Sequence, residues 1–450
     1  MPVIISTLSF TIMQFVDRLM VSRLGTDALA AMLPATFVAM LPSGFALGAM
    51  SSLNTFVSQC FGRGERPACA SYFWQMVYLG IVYCLLVGAI LWPAAPLIFA
   101  AMGQPPGVAD MEIVYFRILL YAHIAAVVNW ASNQFFMGIH RPLVTMLSAL
   151  CGQMVNIVAN YALIFGRFGL PAMGIAGAGW GTFIGVSTST FINLAAFLSP
   201  RMNREFGSRR MLRLDPVKML DLLAVGAPAG FGLVANVALW GIVLSALVGR
   251  FGKEALAATS AVLSCTSLAV MPVVGIATAL TATVGKAIGA ERKDLAVRQT
   301  CLCLKVGSIY MGFVGACFLF LRGPLMALWS HDPQVIAIGS RVLICAALYQ
   351  VFHAVRIIYV GALRGAGDTV WPAAVSGMGS IVILGFGGLL IVRLIPSLGA
   401  TGPWMVAALG IVAVGLATGW RFTHGRWMAI DLFRRRVAVP PVTKAAPATL

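Results

Sequence analysis

Acidic side chains are scarce in this chain: 14 Asp and Glu stand against 31 Lys and Arg, and only 10% of residues carry a charge, where soluble domains carry about 25%. With 60% hydrophobic residues, so little charge excludes a water-soluble globule and leaves a bilayer as the solvent. Catalytic signatures are missing as well. No HExxH, GxSxG or CxxC occurs, and no two carboxylates share an apolar run, which argues against a membrane-embedded enzyme. The nine cysteines form no cluster with histidine; Cys84, Cys151, Cys265, Cys317 and Cys345 fall inside apolar runs and Cys301 with Cys303 forms only CxC. They read as small apolar fillers, with no metal and no cofactor expected. The opening MPVIISTLSF has no basic region and no AxA cleavage site follows it, so it reads as the start of a membrane span and not as a secretion signal.

What is present is a series of long apolar runs with few charges. They lie at 1–22, 33–60, 72–99, 113–137, 142–166, 174–198, 219–248, 256–286, 297–321, 335–362, 370–394 and 401–421, each near the ~20 residues that cross a bilayer as a helix. The expected fold is an all-α integral membrane protein of twelve transmembrane helices. Loop charge orients them. Twenty of the 31 basic residues fall in loops and tail on the side of the N-terminus and six on the other, so both termini are expected in the cytoplasm, in the plasma (inner) membrane. The net charge of +17 comes from these scattered loop residues. It implies topology and attraction to anionic lipid heads, with no nucleic-acid partner.

The chain also repeats itself. RLGTDALAA at 23–31 returns as RFGKEALAA at 250–258, and the same offset of 227 pairs Gly48 with Gly275, Leu53 with Leu280, Val57 with Val284 and Gly62 with Gly289. Six spans per half make each half begin and end on one side, so the copies run parallel. Two six-helix bundles related by a pseudo-twofold axis along the membrane normal follow, with a cavity between them near mid-membrane; such an arrangement implies a transporter. The expected units are an N-terminal lobe at 1–198, a basic cytoplasmic linker at 199–218, a C-terminal lobe at 219–423 and a disordered tail at 424–450.

Few polar groups interrupt the spans. Asp17 is the one acidic residue read as lying deep in a span, where a charged carboxylate costs about 2.5–3.5 kcal/mol; it is a candidate for exchanging a proton or a sodium ion. Asn156 and Asn160 in span 5 are four apart and share a face, at a depth matching that of Asp17; they serve either as interhelical glue or beside Asp17 in a cavity. In the second half Asn236 stands alone in span 7. Gln350, His353 and Arg356 form a polar stripe along span 10, suited to lining a cavity or to packing. His123 reads as a satisfied bundle histidine. Asp368 is expected to pair with Arg364 at the end of span 10. Methionines such as Met13 and Met20 offer an adaptable apolar wall or simple core packing. Pro34, Pro42, Pro228 and Pro272 break the helical ladder and predict bends.

Taken together, FVDRLMVSRLGTDALAA, VSQCFGRGE, NIVANYALIFG, GIAGAGWGT, GAPAG and GALRGAGDT resemble the multidrug and toxic compound extrusion (MATE) transporters over nearly the whole chain. The resemblance implies alternating access and export of bulky, mostly cationic small molecules, by a monomer, in exchange for protons or sodium ions. It also implies that Asp17 carries the coupling cation, with Asn156 and Asn160 beside it. The sequence departs from the family in two places and matches it incompletely at a third. Asn236 stands where some members have a cavity glutamate; Asp368 matches a position implicated in those members but lacks that partner; Arg18 follows Asp17 where an uncharged residue is expected. A lipid-linked saccharide flippase of the wider superfamily is the alternative. It would require Arg117, Lys305, Arg341 and Arg356 to gather in the cavity.

Overall fold

In hydrocarbon each peptide group must be satisfied within its own segment, and the described residues, 2–103 and 106–433 of this computed structural model, are helical between turns and contain no strand. The first bundle comprises α1 Pro2–Ser22, α2 Thr26–Gly62, α3 Arg66–Ala101, α4 Pro106–Gly138, α5 Pro142–Phe165 and α6 Ile175–Phe197. In the second, α7 runs over 216–249 with a π-helical turn at Leu239–Val243, and α8 Lys253–Gly289, α9 Lys293–Phe320 and α10 Pro333–Ala366 follow. Then come α11 Val370–Leu394, π-helical over Ser380–Gly387, and α12 Thr401–Thr423. Ten of these are long and apolar enough to cross a membrane, and α6 makes an eleventh together with the short helix Pro200–Phe206, bent by 58° from it. The twelfth is α1, whose 21 residues reach about 31 Å at the α-helical rise.

Several helices extend beyond the predicted apolar runs, because their starts are built for the interface. Prolines at the first turns of α3, α5 and α10 supply a fixed φ where no backbone donor is required. Asp332 caps α10 by accepting from Gln334 N at 2.8 Å.

Helix packing repeats with the sequence. α2 lies on α4, α4 on α6, α5 on α6 and α1 on α5; six helices later α8 lies on α10, α10 on α12, α11 on α12 and α7 on α11. Between bundles, α2 packs on α7 and α8 while α1 packs on α8, as a twofold relation requires. The seam closes where α2 and α8 finish. Gly62 and Gly289, equivalent in the repeat, meet across the axis: a Cβ on Gly62 would collide with the Lys286 carbonyl, and one on Gly289 with that of Gln59. Missing side chains let the backbones of α2 and α8 touch, and polar side chains of α2 also tie its end to α10. Thr55 Oγ1 donates to Arg364 O at 2.8 Å and Gln59 Nε2 to Gly365 O at 3.0 Å.

The linker is partly helical at Pro200–Phe206, with Met202 and Phe206 buried against the first bundle. The segment after α12 corrects the expectation of a disordered tail from residue 424. Arg426–Ala429 forms a 3-10 turn, Trp427 is buried and donates from Nε1 to Phe422 O at 2.8 Å. Phe433 is 5% exposed and packs edge-on against Phe56 and Tyr72 of the first bundle. Arg63 reinforces the crossing, lying 4.1 Å from the Phe433 ring centre and 3.6 Å from Asp431. Apolar side chains at 427, 432 and 433 supply the burial that the polar composition concealed. The remainder of the expected tail, 434–450, lies outside the described residues.

Candidate functional site

In the first bundle a close helix pair prepares the site. Gly177, Gly181 and Gly185 recur every four residues along α6 and face Leu163, Asn160 and Asn156 of α5, the small-residue spacing that lets membrane helices approach closely. That approach presses the two asparagines toward α1. Asn160 Nδ2 donates to Asp17 Oδ1 at 2.6 Å and to Asn156 Oδ1 at 3.3 Å. Asp17 is only 6% exposed and both asparagines are covered.

Asp17 has no basic partner among the described residues; neighbouring Arg18 is exposed and forms no ion pair. The site therefore holds one carboxylate steadied by one amide. Two further polar atoms lie buried without partners among the described residues, Asn160 Oδ1 and Asn156 Nδ2. Met20 packs into the apolar cluster above this site, and Met13 is half-buried.

Gly181 fixes this arrangement directly, since a Cβ there would overlap the Asn160 carboxamide oxygen. Gly181→Ala is expected to destabilise the bundle by about 1–3 kcal/mol through overpacking, read as a lowered midpoint of thermal unfolding in detergent. An unchanged midpoint would mean that α5 and α6 separate freely.

At the position that repeats Asp17 the second bundle has Leu244, and its buried acids among the described residues, Asp221 of α7 and Asp368, lie elsewhere. Asn236 of α7 and Arg356 of α10 line one small cavity with Trp240, Ser376 and residues of α12. Arg356 Nη2 lies 2.9 Å from His353 Nε2, and Gln350, one turn before His353, is wholly covered with neither amide atom partnered among the described residues. Asp368 is elsewhere and corrects the expected pairing with Arg364. Its Oδ2 accepts from Arg421 Nε of α12 at 2.8 Å, and that guanidinium lies 5.3 Å from the Trp371 ring centre. Residue Gly367, at φ +90°, turns the chain out of the α10 register, so the i and i+4 positions no longer share a face. The basic residues required for a flippase cavity stay apart. Lys305 and Arg341 are exposed, and Arg117 lies against Trp92.

Sequence reasoning missed two polar features and read a third correctly. Glu112 of α4 is wholly covered, with neither carboxylate oxygen partnered among the described residues; this corrects the reading of Asp17 as the lone acid in a span, and it was missed because it falls one residue before the predicted run at 113–137. Asn193 Nδ2 of α6 donates to Asn129 Oδ1 at 2.8 Å and Asn133 Oδ1 at 3.1 Å. The four-residue spacing of those two in α4 was the available signal. His123 is met by Ser43, and its Nδ1 lies 3.2 Å from Leu119 O, so it is a satisfied bundle histidine.

The MatE family profile matches residues 2–162 and again 228–387, one match for each bundle. The chain is 30% identical over 428 residues to a probable multidrug resistance protein NorM of Chromobacterium violaceum, a match covering 92% of this chain and 90% of that protein. It is 28% identical over 373 residues to the multidrug resistance protein PmpM of Pseudomonas aeruginosa, covering 82% and 77%. Crystal structures of a MATE protein in bent and straight conformations share the fold, with TM-scores of 0.87 and 0.86 at 19% and 20% identity. They cover 97% and 95% of this chain, and it covers 95% and 94% of theirs. A doubled profile match over a doubled helical bundle, with relatives of near-equal length, has one reading: the chain belongs to the MATE family of multidrug efflux transporters, multi-pass membrane proteins that move small molecules and catalyse no covalent reaction.

Proposed function

We propose that this protein exports bulky cationic compounds in exchange for protons by alternating access, with Asp17 as the coupling group. One observation carries the reading: a carboxylate enclosed in the bundle meets one amide and, among the described residues, no cation. Its two protonation states make different demands on that site. Ionised, it accepts from Asn160 Nδ2; protonated, it gains an O–H that supplies a donor to an orphaned amide oxygen such as Asn160 Oδ1. Binding a proton therefore changes both the charge and the hydrogen-bonding needs of α1 against α5, and repacking of these helices follows. Proton and substrate must each favour a different state by a few kcal/mol, a scale that neutralising one intramembrane carboxylate reaches.

The same reading puts the closed seam on the cytoplasmic side, because the basic loops cluster there. Asp17 then takes its proton from outside as substrate leaves, and the empty protein returns.

The test is uptake of a fluorescent organic cation into liposomes under separately imposed proton and sodium gradients. A proton gradient alone is expected to drive transport and a sodium gradient alone is not. Transport driven only by sodium would overturn the proton assignment. The flippase alternative finds less support, since its four basic residues do not gather.

A further inference from the structure

Arg356 is a charged group inside a membrane bundle with no opposite charge to meet it. Its Nε is buried without a partner, its Nη2 reaches only the neutral acceptor His353 Nε2 at 2.9 Å, and no ion pair forms on it among the described residues. The acid that follows its helix end, Asp368, is committed to Arg421, and the next charged residue along the helix itself, Arg364, has the same sign. His353 Nδ1 and the Gln350 amide lie one and two turns away, also without partners. A cation left in this condition is costly unless something of opposite charge completes it.

The surroundings have the form of a site. Arg356 is deep within the bundle yet only partly covered, because it borders the cavity it shares with Asn236, Trp240, Ser376 and Ile411. Two walls of that cavity lie beside interrupted helices: Trp240 belongs to the π-helical turn of α7, and Leu384 to that of α11. Such turns insert a residue into the helix and recur where binding groups are presented. Asn236 adds an amide that donates to an anion, at the place where an acid would compete for the guanidinium. Leu384, Ile411, Val414 and Trp240 supply an apolar and aromatic surface next to it.

We infer that this cavity binds the carboxylate of an amphipathic organic substrate, with Arg356 as the anion partner, Asn236 as a second donor and Trp240 against the apolar body. The guanidinium fork engages a carboxylate through two parallel N–H bonds, a geometry that an ammonium does not reproduce. The cavity is small in this conformation, so a carboxylate enters it as the walls beside the interrupted helices α7 and α11 move apart. This inference rests on the exporter reading and narrows its substrates: compounds carrying both a cationic centre and a carboxylate are preferred over purely cationic ones.

The test compares a rhodamine bearing a free carboxylate with its ethyl ester, each bound to the full-length protein in detergent and followed by fluorescence anisotropy. The wild-type protein is expected to bind the acid about tenfold more tightly, the scale of one charge-assisted contact. Arg356→Gln should bind both equally. Arg356→Lys should keep part of the preference, and Lys305→Gln, at an exposed position outside the cavity, all of it. If Arg356→Gln does not fold, Asn236→Asp serves in its place, because an acid in the same cavity should also abolish the preference. Equal binding of acid and ester by the wild type, or a preference that survives both Arg356→Gln and Asn236→Asp, overturns the inference. Proton-driven uptake of the ester is read in parallel. Uptake without any acid preference defeats the anion site and leaves the exporter reading standing, whereas acid preference without uptake does the reverse.

Discussion

Replacing Asp17 with Asn is expected to bring proton-driven uptake down to the rate of empty liposomes, a loss of about a hundredfold or more, while the protein melts within about 1 kcal/mol of the wild type. The two effects separate because of what Asp17 touches. Among the described residues its side chain accepts from Asn160 Nδ2 at 2.6 Å, and an asparagine oxygen of the same shape accepts that bond too, at the loss of its charge assistance. What the variant cannot do is change charge. A factor of a hundred corresponds to about 2.7 kcal/mol, comparable to the cost of one ionised carboxylate at mid-membrane. The measurements are liposome uptake and thermal unfolding of the same preparation. Undiminished proton-driven transport by Asp17→Asn would remove this residue from the coupling step.

The second large effect concerns the seam. Gly62 and Gly289 meet with no room for a side chain, so Gly62→Ala with Gly289→Ala should force the closed ends of α2 and α8 apart. Each added methyl opposes a backbone carbonyl, which cannot rotate away, and overpacking of that kind costs about 1–3 kcal/mol. The two sites are adjacent, so their costs do not simply add. A combined cost near 3 kcal/mol shifts a two-state population by more than a hundredfold. Spin labels at Glu65→Cys and Arg292→Cys, in a background without the native cysteines, should then report a longer separation across the seam. An unchanged distance distribution would show that the ends accommodate the methyls without parting.

These contacts also show which parts of the protein were legible from the chain. The twelve helices follow from long apolar runs, and the bundle symmetry from the repeat of RLGTDALAA; both are local or periodic signals that hydropathy and self-comparison detect. Asn156 and Asn160 announced their shared face by spacing alone, and Asp17 stood out as an acid in an apolar run. Pairings made by tertiary approach left no such trace. Asp368 turned to Arg421, 53 positions away, because a glycine with positive φ redirected the chain just before it, an event invisible to i and i+4 counting. Glu112 escaped because a hydropathy window ends where charge begins, although α4 carries on through it. The aromatic groups at 427 and 433 were diluted among arginines and prolines, so composition concealed two side chains that the fold buries.

Phe433 belongs to the second bundle by covalent connection and to the first by where its ring is seated. The ten residues from Thr423 reach at most about 35 Å if drawn straight, longer than the path they cover while coiled into a turn at Arg426–Ala429. They therefore act as a slack leash with an aromatic clasp. Rocking of the lobes would first uncoil the slack, and only a wide excursion would draw the ring out, at about 1.5–3 kcal/mol for exposing it.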